Sequence, residues 1–200
     1  MTEPIPGICA LVLAAGQGSR YRERSGTDKL LAPATAQPDA QAVLAMTLAS
    51  LRGVAERLVI VTREDNHELR AWLEQERGRF PAEVIAVRTK GLGHSLAQAI
   101  RQYPAEKGWL VALGDMPYVR ADTVRRVAAS IEPVHVFVPV CRGRRGHPRG
   151  IGRDHGEKLL SLDGDRGAQA LFAGDLCIEI EVDDPGVLED IDLPDDRRHG

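Results

Sequence analysis

Short apolar runs alternate along the chain with longer stretches whose apolar positions recur at helical spacing. The runs at 8–13, 57–61, 84–87, 109–113, 134–138 and 177–182 read as strands. The stretches at 42–51, 66–76, 95–102, 121–130 and 167–173 read as helices. Alternation of this kind predicts an α/β fold: right-handed β-α-β crossovers, a mostly parallel sheet, and helices on both faces. Pro81 and Pro104 fall in predicted connections. The stretch 32–41 lacks periodicity and reads as a loop. The pattern predicts one domain over 1–193, followed by a polar, charged tail over 194–200 that is expected to fray. Ligands of open α/β sheets bind beyond the carboxyl ends of the strands, so motifs that directly follow predicted strands carry the interest.

The first strand runs into Leu11-Val-Leu-Ala-Ala-Gly-Gln-Gly-Ser-Arg20. Ala14, Ala15, Gly16 and Gly18 carry almost no side chain, so a ligand can lie directly on the backbone. The N–H groups of such a turn make a nest for an anion. Arg20 and, further on, Lys29 add positive charge. The glycine spacing is neither that of the dinucleotide fingerprint nor that of a P-loop. The segment reads as a loop for a nucleoside triphosphate, set against a plain strand-to-helix turn.

Five further segments carry candidate chemistry. In Ala112-Leu-Gly-Asp-Met-Pro117 a strand ends at Asp115, where a carboxylate can hold a magnesium ion (Mg2+) that bridges phosphates; the bland alternative is a turn cap. Arg142-Gly-Arg-Arg-Gly-His-Pro-Arg149 gathers arginines, the natural partners of phosphate, around His147, which can donate to an anion or move a proton. The alternative there is a solvated basic loop that includes Arg145. In Leu162-Asp-Gly-Asp-Arg-Gly-Ala168, Asp165 either caps the next helix or contacts substrate. In Glu189-Asp-Ile-Asp-Leu-Pro194, alternation puts Asp190 and Asp192 on one side of an extended segment. Such a pair suits a shared cation or a charged surface edge. In Gly91-Leu-Gly-His-Ser-Leu-Ala97, Ser95 is either a helix N-cap or part of the nucleotide pocket.

Composition narrows the field. The chain has 200 residues, 43% hydrophobic and 28% charged, as for an ordinary globular domain, and a formal net charge of −3, which argues against a general nucleic-acid binder. Three cysteines, Cys9, Cys141 and Cys177, show neither disulfide nor zinc spacing. No apolar run reaches membrane-spanning length. No leader pattern stands at the N-terminus, and a cytoplasmic setting is expected.

In this order, the motifs resemble the nucleotidyltransferases that complete the molybdenum cofactor, and most of all the molybdenum cofactor cytidylyltransferase branch. The matching elements are Leu-Ala-Ala-Gly with its following arginine, the lysine, Gly-Asp-Met-Pro, Gly-His-Pro, Gly-Asp-x-Gly-Ala and Asp-Ile-Asp-x-Pro. The resemblance covers nearly the whole chain. It implies a Rossmann-like α/β/α sandwich and transfer of CMP from CTP to the terminal phosphate of molybdopterin. It implies that Leu13 to Gly16 cradle the nucleotide and that Lys29 and Arg20 neutralise its triphosphate. It implies further that Asp115 holds magnesium together with Asp190 or Asp192, and that His147, neighbouring arginines and Asp165 face the pterin. A recipient molybdoenzyme is an implied partner. Ala15 stands where guanylyltransferase relatives usually have a second glycine, which favours CTP over GTP. The chain departs from the pattern in a longer gap between Arg20 and Lys29 and in extra residues at 35–39. Competing readings are a nucleotidyltransferase for another phosphorylated substrate and a non-catalytic carrier of the cofactor.

Overall fold

The computed structural model describes residues 3–37, 39–164 and 168–198. Its centre is β1 (Ile5–Ala14), whose residues alternate between two apolar layers. Ile8, Ala10, Val12 and Ala14 face one layer, while Cys9, Leu11 and Leu13 face the other. A period of two with both faces apolar marks a strand buried on both sides. β1 pairs in parallel with β2 (Ala55–Arg63) on one side and with β4 (Gly108–Leu113) on the other. β2 pairs in parallel with β3 (Glu83–Val87).

Helices cover both faces. The first layer packs α2 (Val43–Leu51), α3 (His67–Gln75) and α5 (Ala121–Ala129) on the sheet through residues such as Leu44, Leu48, Leu69 and Val124. The second packs α4 (Leu92–Gln102) and α6 (Gly156–Leu160) through Leu96, Ile100 and Leu159. α1 (Ser19–Ser25) follows the glycine turn directly. This is the Rossmann-like α/β/α arrangement with mostly parallel strands.

The far half of the sheet departs from the predicted pattern. β5 (Val136–Cys141) turns through a hairpin into β6 (Arg144–Arg145), and β7 (Arg149–Gly152) inserts antiparallel between β4 and β5. β8 (Cys177–Glu181) pairs in parallel with β5, giving the eight-stranded sheet an order of β3-β2-β1-β4-β7-β5-β6 with β8 on β5. β6 and β7 escape the hydrophobic pattern because they hold three arginines and two glycines, leaving Ile151 alone to signal burial. The run expected at 134–138 begins two residues later and extends to Cys141.

Two further expectations are corrected. The helix expected over 167–173 is a 3-10 segment, Ala168–Ala173, which buries Phe172; Gly167 itself lies outside the described residues. The segment from Pro194 does not fray through Arg198. Pro194–Asp196 forms a 3-10 turn, the Arg198 backbone N–H donates to the Tyr118 hydroxyl, and the Arg198 guanidinium stacks 4.3 Å from that ring. Tyr118 in turn donates to the carbonyl of Ala34, so the polar tail is tied to a buried aromatic and to the loop after Lys29.

Candidate nucleotide site

The carboxyl ends of β1, β2, β3 and β4 open into one cavity of about 1040 Å³. One wall is the turn after β1. Leu13, Ala14, Ala15, Gly16 and Gly18 all line it. Gly18 adopts a left-handed backbone (φ 58°), which lets the chain leave the strand and enter α1. The N–H of Gly114 donates to the Leu13 carbonyl at 2.9 Å, so the end of β4 is clamped against the same turn. Asp115 follows immediately and lines the cavity.

Lys29 reaches this point from the loop after α1. Its ammonium donates to Asp115 Oδ2 at 2.6 Å and to Asp192 Oδ1 at 3.1 Å. Arg20 pairs with the other oxygen of Asp192 at 2.7 Å. α1, which ends at the left-handed Gly26, carries the chain from Arg20 toward Lys29. Asp190 joins the group: Asp115, Asp190 and Asp192 each offer a carboxylate oxygen, and these atoms lie within 4.8 Å of one another. The Ile191 N–H donates to the Asp115 carbonyl at 3.0 Å, joining the end of β4 to the C-terminal segment.

Electrostatics follows from this crowding. Burial works against the charge on Lys29, but the Asp115 and Asp192 carboxylates outweigh it and hold its pKa above the usual lysine value. Partial burial, reinforced by the charges of Asp115 and Asp192, pushes the Asp190 carboxyl above the ordinary aspartate value. Hard carboxylate oxygens this close together suit a divalent ion such as magnesium or manganese.

The sequence reading missed two residues that hold Lys29. Asp28 is buried; it accepts from the Leu30 N–H at 2.9 Å and from Asn66 Nδ2 at 2.7 Å, and pairs with Arg22 at 3.3 Å. Asn66 also caps α3 by accepting from the Leu69 N–H. Asn66 was visible as a helix start; nothing local signals its second contact, which spans 38 residues. A third residue, Asp196, accepts from the N–H groups of Asp192 and Leu193 and fixes the turn beneath the acidic cluster.

The other candidates are placed as follows. Ser95 is not an N-cap: α4 begins at Leu92, and the Ser95 hydroxyl, one turn in, donates to Thr89 Oγ1 at 2.6 Å. It borders the cavity but is almost fully buried. His147 and Arg145 do not line this cavity. The His147 N–H donates to the Val187 carbonyl at 2.9 Å, so the basic hairpin docks on the segment leading to Asp190. Burial, with Arg149 beside it, lowers the His147 pKa to about 3, and the ring is neutral at pH 7. Arg145 is exposed and engages Glu179 and the Phe172 carbonyl, while Arg149 stacks on the Phe172 ring at 4.5 Å. Asp165 lies outside the described residues. No helix among the described residues is long and apolar enough to cross a membrane.

Comparison with known proteins agrees with this fold. Residues 10–180 match a family described as "MobA-like NTP transferase domain". Bifunctional protein GlmU of Kineococcus radiotolerans is 32% identical over 157 residues, which is 76% of this chain and 30% of that protein. The chain thus spans about a quarter to just over a third of the length of the curated relatives it matches. Among solved structures, Rv0371c from Mycobacterium tuberculosis superposes with a TM-score of 0.75 at 25% identity, covering 98% of this chain and 96% of that one. A structure of Rv0371c in complex with manganese gives 0.71 at 24% identity, covering 95% of each chain. A nucleotidyl transferase from Methanothermobacter thermautotroptrophicus gives 0.74 at 25% identity, covering 94% and 93%.

Proposed function

Because the chain belongs to the MobA-like NTP transferase domain family, we propose that it transfers CMP from CTP to the terminal phosphate of molybdopterin with magnesium as its metal. An oxygen of the acceptor phosphate forms a bond to the α-phosphorus, the bond from that phosphorus to the bridging oxygen breaks, and pyrophosphate leaves with the electron pair. The observation that carries this reading is the convergence of Lys29 with Asp115 and Asp192 beside the glycine turn.

Each group has a role. The backbone of Leu13, Ala14, Ala15, Gly16 and Gly18 lies against the nucleotide, with Ser95 supporting the opposite wall. Lys29 and Arg20 neutralise the triphosphate, and the pyrophosphate as it departs. Asp115, Asp190 and Asp192 hold the metal, which supplies a Lewis acid for the phosphate oxygens. On this reading the acceptor side falls to His147 and Arg145, outside the nucleotide cavity, and the family resemblance gives Asp165 the same role. The attacking phosphate is already anionic, so alignment and charge neutralisation suffice and no general base is needed. The manganese-bound form of Rv0371c supports a divalent metal in this fold. Ala15 supports cytidine over guanosine. A reducing, cytoplasmic setting and delivery of the product to a molybdoenzyme complete the reading. The GlmU match favours one alternative: the same transfer onto a different phosphorylated acceptor.

Thermal unfolding with each nucleoside triphosphate, with and without magnesium, tests the reading. CTP at about a hundred times its Kd stabilises by roughly 2.7 kcal/mol, a readable shift. A magnesium-dependent shift selective for CTP, followed by pyrophosphate release with molybdopterin that Asp115→Asn abolishes, is the expected result. Selectivity for GTP changes the nucleotide, release only with another acceptor changes the substrate, and no shift with any nucleotide refutes the assignment.

A further inference from the structure

The two side chains expected to meet an anionic substrate are engaged with the carboxylates expected to meet a divalent ion. Lys29 touches Asp115 and Asp192, and Arg20 takes the remaining oxygen of Asp192. We propose that Lys29 and Arg20 are built-in counter-ions for the Asp115–Asp190–Asp192 cluster, so that metal and nucleotide enter by exchange: the divalent ion takes the carboxylates, and the triphosphate takes the displaced ammonium and guanidinium. The inference rests on the nucleotidyl-transfer reading and adds to it a coupling between the two ligands.

Three observations carry it. First, carboxylate oxygens within 4.8 Å of one another repel unless a cation lies among them, and among the described residues Lys29 and Arg20 are the cations in contact with the group. Second, only 12% of the Lys29 side chain is exposed, so its ammonium is largely desolvated where it stands and relies on the carboxylates for counter-charge. A charge displaced from a buried pair needs another counter-charge. Third, that counter-charge has a place to arrive. A Cβ built on Gly18 would lie 3.5 Å from Lys29 Cγ, so the lysine stem runs along the glycine turn. A rotation about its outer bonds carries the ammonium from Asp115 to a phosphate held on that turn. Arg20, two residues beyond Gly18 and 72% exposed, makes the same change at the outer edge.

The exchange has a thermodynamic signature. Metal alone must displace Lys29 without offering it a partner, and nucleotide alone must draw Lys29 off the carboxylates and leave them uncompensated. Each ligand therefore binds weakly by itself and strengthens the other by an equal factor, of the order of 5–150-fold for such couplings.

The test is Mn2+ binding to the nucleotide-free protein, followed by the electron paramagnetic resonance signal of the free ion. Lys29→Met is expected to bind Mn2+ about tenfold or more tightly than the wild type, Arg20→Gln to shift it less in the same direction, and Lys29→Met/Asp115→Asn to lose the gain. Lys90→Met removes a cation that lines the same cavity but touches neither Asp115 nor Asp192, and it should change Mn2+ affinity by less than about twofold. Adding CTP should tighten Mn2+ on the wild type and much less on Lys29→Met. The proposal is overturned if Lys29→Met binds no more tightly than the wild type, if Lys90→Met gains as much, or if neither the wild type nor the variants take up Mn2+. Should Lys29→Met fail to fold, Arg20→Gln, with its exposed side chain, decides the question by the same comparison. Mn2+ exchange without any nucleotide effect on stability would instead refute nucleotidyl transfer and with it the coupling to nucleotide, and leave only the counter-ion role of Lys29 and Arg20 standing.

Discussion

Replacing Asp28 by alanine tests whether the position of Lys29 is built from below. The Asp28 side chain is 10% exposed and holds three partners: the Leu30 N–H at 2.9 Å, Asn66 Nδ2 at 2.7 Å and Arg22 at 3.3 Å. Its loss leaves two donors without their acceptor in a largely dry place, at about 1–3 kcal/mol each. Asn66 keeps its cap on Leu69, and Arg22 keeps Glu68 at 3.8 Å in a half-exposed pair worth little. The sum is a destabilisation of about 2–6 kcal/mol, with the turn carrying Lys29 released from α3. Urea denaturation followed by the fluorescence of Trp72 and Trp109 reads the first effect, and pyrophosphate release at saturating CTP reads the second. Asp28→Asn, which keeps one acceptor but turns an amide toward Asn66, should fall between wild type and Asp28→Ala. Stability of Asp28→Ala within about 0.5 kcal/mol of the wild type would refute the argument, because changes that small belong to surface positions.

Gly146→Ala should destabilise by about 1–3 kcal/mol and lower turnover, since its Cβ would stand 2.2 Å from the Val187 carbonyl oxygen and push the segment that continues to Asp190 and Asp192; an unchanged melting temperature and rate would count against that link. His147, neutral in the fold down to about pH 3, takes up its proton earlier in the unfolded chain, near pH 6.5. Its contribution to stability is therefore fully present above pH 6.5 and is lost as pH falls toward 3, at up to about 1.4 kcal/mol per pH unit. His147→Gln should flatten that part of the urea-denaturation pH profile, and an unaltered slope would show that the ring is hydrated in the fold.

Much of this protein is legible in its sequence where information is local and periodic. β1 alternates strictly between two apolar layers, so strand, burial on both faces and the sandwich all follow from one run of residues. The turn after it has so little side chain that an open backbone is its evident property, and a carboxylate directly after β4 must stand at a strand's carboxyl end. Where side chains are short or charged the same reasoning fails. β7 contributes Arg149-Gly-Ile-Gly152 to the middle of the sheet, and its place is decided by pairing with β4 and β5 rather than by its own pattern. The 3-10 segment at Ala168–Ala173 likewise shows one buried phenylalanine where a helix was expected.

Contacts between distant residues belong to the tertiary structure alone. Lys29 meets Asp115 across 86 positions and Asp192 across 163, and Asn66 reaches back 38 to Asp28. Each of these side chains is compatible with an ordinary surface until the fold brings its partner within hydrogen-bonding distance. The reason is physical. Hydrophobic periodicity depends on near neighbours along the chain, whereas the energy of an ion pair depends on separation in space and on the water excluded around it. The sequence by itself determined which residue types stand at the strand ends; the tertiary structure decided that three carboxylates, one ammonium and one guanidinium share a single point there.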